Sequence, residues 1–104
     1  NLVSTGSLTR SIVQPREIVK AALNMPCKAL ILGHNHPSGD PSPSMEDRLI
    51  TLMTMASAHL FDLDILDHII VDMDSDAYLS FADENIIEDT KIKVRSVLDQ
   101  ISKI

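Results

Sequence analysis

Two histidines one residue apart, His34 and His36, are followed by an aspartate at Asp47, with a proline- and glycine-rich stretch between them. Side chains two apart on an extended backbone point to the same side, so His34 and His36 can converge on one point just past the end of a strand. Two neutral imidazoles, one carboxylate and a water form a recurring ligand set for catalytic zinc, in which one position stays open to solvent or substrate. Asp47 can supply the carboxylate. Each piece also has a plainer reading. Ser44-x-x-Asp47 ahead of an apolar run is a helix capping box, and histidines at a strand end are often hydrogen-bonded surface residues. Capping and ligation are compatible for Asp47, and the combined pattern asks the plainer reading to explain several independent coincidences.

The elements that must position these residues can be read from the flanking sequence. Ala29 to Leu32 is a continuous apolar run ending at Gly33, the pattern of a strand covered on both faces, and it leads straight into His34. Residues 37–43, Pro-Ser-Gly-Asp-Pro-Ser-Pro, exclude helix and form a rigid turn-rich loop. Ser44 then opens a helix to about Phe61, with Leu49, Leu52, Met53, Ala56 and Leu60 at the spacing of one buried face. The loop can fold the first turn of that helix, with Asp47, back toward the histidines. Before the strand, Pro15 and Glu17 start a helix that stops ahead of Pro26. After Asp62 come a strand over Ile65 to Val71, an acidic turn at Asp72 to Asp76 and a short strand over Tyr78 to Phe81. Val94, Val97, Leu98 and Ile101 mark a final amphipathic helix. Leu2 to Val13 suits an edge strand or an irregular lead-in.

Composition narrows the function classes. The chain has 104 residues, enough for one domain with its own core. That core is aliphatic, since there is no Trp, one Tyr and two Phe, so stacking platforms for single-stranded nucleic acid are scarce. A formal charge of −6 has the wrong sign for phosphate neutralisation and argues against nucleic-acid binding by this chain. One cysteine, Cys27, excludes an internal disulfide. No run of about 18 apolar residues offers a membrane span. A cytoplasmic location fits best. Opening at Asn1 rather than Met, the sequence reads as a piece of something longer.

His34-x-His36-Pro37, six residues, Ser44, two residues and Asp47 match the JAMM metalloprotease motif without a gap. The surrounding text resembles the RadC-like branch, through Pro15-Arg16-Glu17, His36-Pro37-Ser38-Gly39-Asp40-Pro41 and Leu66-Asp67-His68, over about Gly6 to Phe81. The resemblance implies an α/β fold with a mixed sheet flanked by helices, the three-layer JAB/MPN architecture similar to cytidine deaminases. It implies zinc as cofactor, held by His34, His36 and Asp47. Ser44 would help stabilise the oxyanion during hydrolysis of an amide, peptide or isopeptide bond in a protein or peptide substrate. The family also uses a glutamate on an earlier strand as general base. The only acidic residue before His34 is Glu17, which matches the Pro-Arg-Glu of the first helix instead, so the base is expected upstream of Asn1. The tail after about Asn85 goes beyond the resemblance.

The rival class is an interaction module with a structural or vestigial zinc, in a family associated with DNA repair by name. A zinc deaminase is excluded, because that chemistry needs H-x-E with P-C-x-x-C. The lead-in strand or the tail helix could mediate a homodimer. The remaining residues have structural readings. Asp67 and His68 face opposite sides of a strand and serve structural pairing, outside the site. His59 suits the end of a helix. Met45, Met53 and Met55 fill the core, Cys27 is a packed thiol, and Asp72, Asp74 and Asp76 form a solvated turn rather than an EF-hand.

Overall fold

The computed structural model describes residues 14–36 and 40–103. The expected lead-in at Leu2 to Val13 and the start of the loop, residues 37–39, lie outside the described residues. Gln14 precedes helix α1 (Pro15–Leu23) with no side-chain cap. Proline at the first helical position costs nothing there, since its missing amide would have had no partner. Strand β1 (Ala29–His36) follows, then helix α2 (Met45–His59), strand β2 (Asp64–Asp72), strand β3 (Tyr78–Ser80) and helix α3 (Ile86–Ser102). The three strands form one mixed sheet in the order β1-β2-β3, with β1 and β2 parallel and β2 and β3 antiparallel. The fold is thus mixed α/β with a sheet and helices, as the resemblance implied. Parallel neighbours need a crossover, and α2 provides it.

Register decides what the sheet presents to the helices. Leu32 pairs with His68, His34 with Ile70 and His36 with Asp72, after an irregularity between Leu30 and Ile31. Paired residues share a face, so Leu32, His34, His36, His68 and Ile70 all point the same way. Ile65, Ile70 and Phe81 from this side join Val19, Ala22, Met55, Ala58, Leu63, Ile86, Ile87 and Val94 in a single core.

Several expectations are corrected. β1 runs on to His36, so the histidines sit within the strand and are held by its pairing instead of lying just past its end. Nor is β1 covered on both faces among the described residues: its exposure alternates, and Ile31 is 62% exposed. The largest difference is in α2. Leu49, Met53 and Leu60 are exposed, and the buried stripe is Thr51, Thr54, Met55 and Ala58. That stripe continues Asp47 at helical spacing, so the rotation that aims Asp47 at the sheet turns the threonines inward and Leu49 and Met53 outward. Of the three methionines expected in the core only Met55 is buried, while Met45 is 81% exposed. In α3, burial covers Ile86, Ile87, Thr90 and Val94, and Val97 and Ile101 are exposed.

Candidate metal centre

β1 contributes two imidazoles and the first turn of α2 contributes the carboxylate. His34 Nε2 lies 2.9 Å from Asp47 Oδ1, and His36 Nε2 lies 3.1 Å from Asp47 Oδ2. The two Nε2 atoms are 3.0 Å apart. His34, His36 and Asp47 therefore offer three ligand atoms, all within 4.8 Å of one another. They are the only such group of histidine, cysteine and acidic residues among the described residues.

Asp47 is fixed by the start of its own helix. The Ser44 hydroxyl accepts from the Asp47 amide at 3.0 Å, and the Asp47 carboxylate accepts from the Ser44 amide at 2.7 Å, closing a capping box. Both readings of Ser44-x-x-Asp47 thus coincide in one geometry. Accepting through its oxygen leaves the Ser44 hydroxyl proton unused by the cap, on an exposed residue at the edge of the cluster.

His36 is held from the loop. Its Nδ1 lies 3.1 Å from the backbone oxygen of Asp40, and a carbonyl can only accept, so Nδ1 carries the proton and Nε2 a lone pair. Asp40 is itself held in a turn, its Oδ1 accepting from the Ser42 amide at 2.9 Å.

Behind His34 stands a residue that the sequence had placed outside the site. His68 Nε2 lies 2.9 Å from His34 Nδ1, and His68 Nδ1 lies 2.6 Å from the Thr51 hydroxyl. His68 is 3% exposed and packs its ring against Phe81 at 4.5 Å. Its neighbour Asp67 faces away and keeps the structural role expected of it, accepting from the Ser80 hydroxyl at 2.6 Å and the Ala82 amide at 2.9 Å. The available signal was the Asp67-His68 pair after an apolar strand start. Only the β1–β2 register, which neither segment states, turns His68 toward His34.

The electrostatics favour neutral His34 and His68 and a charged Asp47 carboxylate. Burial pushes His34 below its ordinary value, against the pull of Asp47. Burial, then the neighbouring His34, push His68 down to about 4. Desolvation raises Asp47, but the contacts with Ser44 and then the nearby His34 and His36 outweigh it and hold the carboxyl below its usual range. A neutral His34 and a charged Asp47 are the protonation states that a divalent cation requires of these two ligands.

Comparison with known proteins decides the family. A model described as RadC-like JAB domain matches residues 1–86. The chain belongs to that family. Among relatives of this RadC-like domain, a UPF0758 protein of Methanosarcina mazei is 47% identical over 87 residues, covering 84% of this chain and 37% of its own length. One from Symbiobacterium thermophilum is 44% identical over 85 residues, covering 82% of this chain and 36% of the relative. Another, from Pasteurella multocida, is 42% identical over 82 residues, covering 79% of this chain and 36% of the relative. The chain thus spans little more than a third of the length of these relatives. No helix among the described residues is long and apolar enough to cross a membrane.

Proposed function

We propose that this domain binds one zinc ion through His34 Nε2, His36 Nε2 and an Asp47 carboxylate oxygen, and serves a metal-dependent hydrolase acting on amide, peptide or isopeptide bonds. The observation that carries this reading is the meeting of three ligand atoms within 4.8 Å, on a strand and a helix start that hold them independently. When bound, such an ion supplies Lewis acidity, polarising a carbonyl and lowering the pKa of water to about 7. The chain's own residues do the rest. The capping box and the Asp40 carbonyl fix the ligands in direction. The unused Ser44 proton is available to a developing oxyanion, a contact whose loss typically costs about 100- to 1000-fold in rate.

The proton acceptor is assigned to a residue outside this cluster. Glu17 lies in the exposed first turn of α1. Asp40, Asp67 and Asp72 already accept hydrogen bonds from Ser42, from Ser80 and from Ser75, respectively. A glutamate supplied from outside these residues is proposed for the role. That same dearth of a nearby base favours a second reading, an interaction module in which the ion is structural. A hydrolysis assay with a glutamate-bearing segment present separates the two.

The metal itself is tested by its content per chain after purification without added metal. Near one zinc in wild type and near none in His36→Ala and Asp47→Ala is the expected result. No metal in wild type, even after zinc is offered at neutral pH, would overturn the reading.

A further inference from the structure

The contacts around His68 define a directed chain of protons. The Thr51 hydroxyl donates to the backbone oxygen of Asp47 at 2.9 Å. A hydroxyl has one proton. With that proton committed, the 2.6 Å contact between Thr51 Oγ1 and His68 Nδ1 requires His68 to donate from Nδ1. A neutral imidazole protonated at Nδ1 has only a lone pair on Nε2. The 2.9 Å contact between His68 Nε2 and His34 Nδ1 then requires His34 to donate. His34, protonated on Nδ1, then has only a lone pair on Nε2. Its contacts at 2.9 Å with Asp47 Oδ1 and 3.0 Å with His36 Nε2 are therefore not hydrogen bonds but the spacing of ligand atoms around a shared cation.

We infer that His68 and Thr51 are positioning residues for the metal centre, a buried relay that fixes His34 as the Nδ1-protonated tautomer and so reserves its Nε2 for the ion. The inference rests on the metal reading above and adds to it two residues that touch neither the ion nor any substrate. The relay does for His34 what the Asp40 carbonyl does for His36. It also ties the ligands together: the chain that begins at His34 ends on the main chain of Asp47, which supplies the third ligand. Asp47 and Thr51 lie one turn apart on the same face of α2, so the helix orientation that presents the carboxylate also presents the Thr51 hydroxyl to His68. The burial of a threonine where Leu49 or Met53 would have met the hydrophobic pattern is the cost of this arrangement. Supporting partners of this kind typically set metal affinity by about 10- to 100-fold.

The test is zinc affinity by chelator competition on wild type, Thr51→Val, Thr51→Ser and His68→Leu, with circular dichroism to establish that each is folded. Nitrogen NMR of the zinc-loaded wild type reads the His34 tautomer directly and needs no variant. The expected result is zinc on Nε2 and a proton on Nδ1 of His34, Kd weakened about 10- to 100-fold in Thr51→Val and His68→Leu, and near-wild-type affinity in Thr51→Ser. A purely structural role for these residues would change thermal stability and leave both the nitrogen signature and the Kd of folded variants in place. Zinc on Nδ1 of His34, or unchanged affinity in folded Thr51→Val, would overturn the relay while leaving the metal centre standing. Failure of wild type to bind zinc would overturn both.

Discussion

Ser44 and Asp47 hold each other twice, amide to carboxylate at 2.7 Å and amide to hydroxyl at 3.0 Å, and the same carboxylate faces both histidines. One side chain thus caps a helix and offers a ligand. The two roles separate by substitution. Asp47→Asn keeps an oxygen for the Ser44 amide but loses the charge, so its melting temperature should stay close to wild type while zinc affinity falls by more than the about 10- to 100-fold typical of supporting partners. Ser44→Ala should lose about 1 kcal/mol, or roughly 4–8 °C, and still bind zinc. Melting curves and chelator competition on the two variants check this.

Two threonines of α2, both fully buried, should respond to valine with opposite signs. Thr54 Oγ1 is buried with no hydrogen-bond partner among the described residues, so Thr54→Val should be neutral or stabilise by up to about 1 kcal/mol. Thr51→Val strips the partner from His68 Nδ1 and should cost about 1–3 kcal/mol. Urea unfolding of the pair measures both.

The buried imidazoles make the metal-free chain acid-sensitive. His68 has its pKa depressed to about 4 in the folded state, against an ordinary 6.5 when unfolded. The unfolded chain therefore binds more protons between those values, and stability falls as pH drops from about 6.5 toward 4. Depression of that size corresponds to about 3 kcal/mol. His34, also depressed, adds in the same direction. Unfolding free energy measured across this window should slope downward with acid, and His68→Leu should flatten the slope. An unchanged slope in that variant would show that His68 is not its source.

Phe81 closes the core beneath His68, with no exposed surface and ring centroids 4.5 Å apart. Phe81→Ala should cost about 3–5 kcal/mol, a large share of the roughly 5–15 kcal/mol stability of an ordinary domain. Denaturant midpoints check the value.

The ligands were legible because their signals are local: an i, i+2 pair on a strand, a loop too rich in proline to be helix, and a capping signature. The starts of α1 and α2 followed from the same punctuation, whereas the fold class came with the family resemblance. His68 was not legible, since its side of the sheet depends on pairing between segments more than thirty residues apart. The face of α2 was misread for a related reason. Leu49, Met53 and Leu60 satisfy a helical period, but the helix is rotated to serve Asp47 and Thr51. In α3 the apolar period continues through Val97 and Ile101 although burial ends with Val94 and half-buried Leu98.

All the parts that fix the centre, from His34 to His68, belong to the β1–α2–β2 crossover. An ion held there would bridge the two ends of the loop between β1 and α2 and bind only when the crossover is closed. Ligands that bind only the folded state add stability by mass action, about 2.7 kcal/mol at a free concentration of 100 Kd. Metal supply would then be written into the lifetime of the protein, since a starved chain would open more often to proteases than a loaded one.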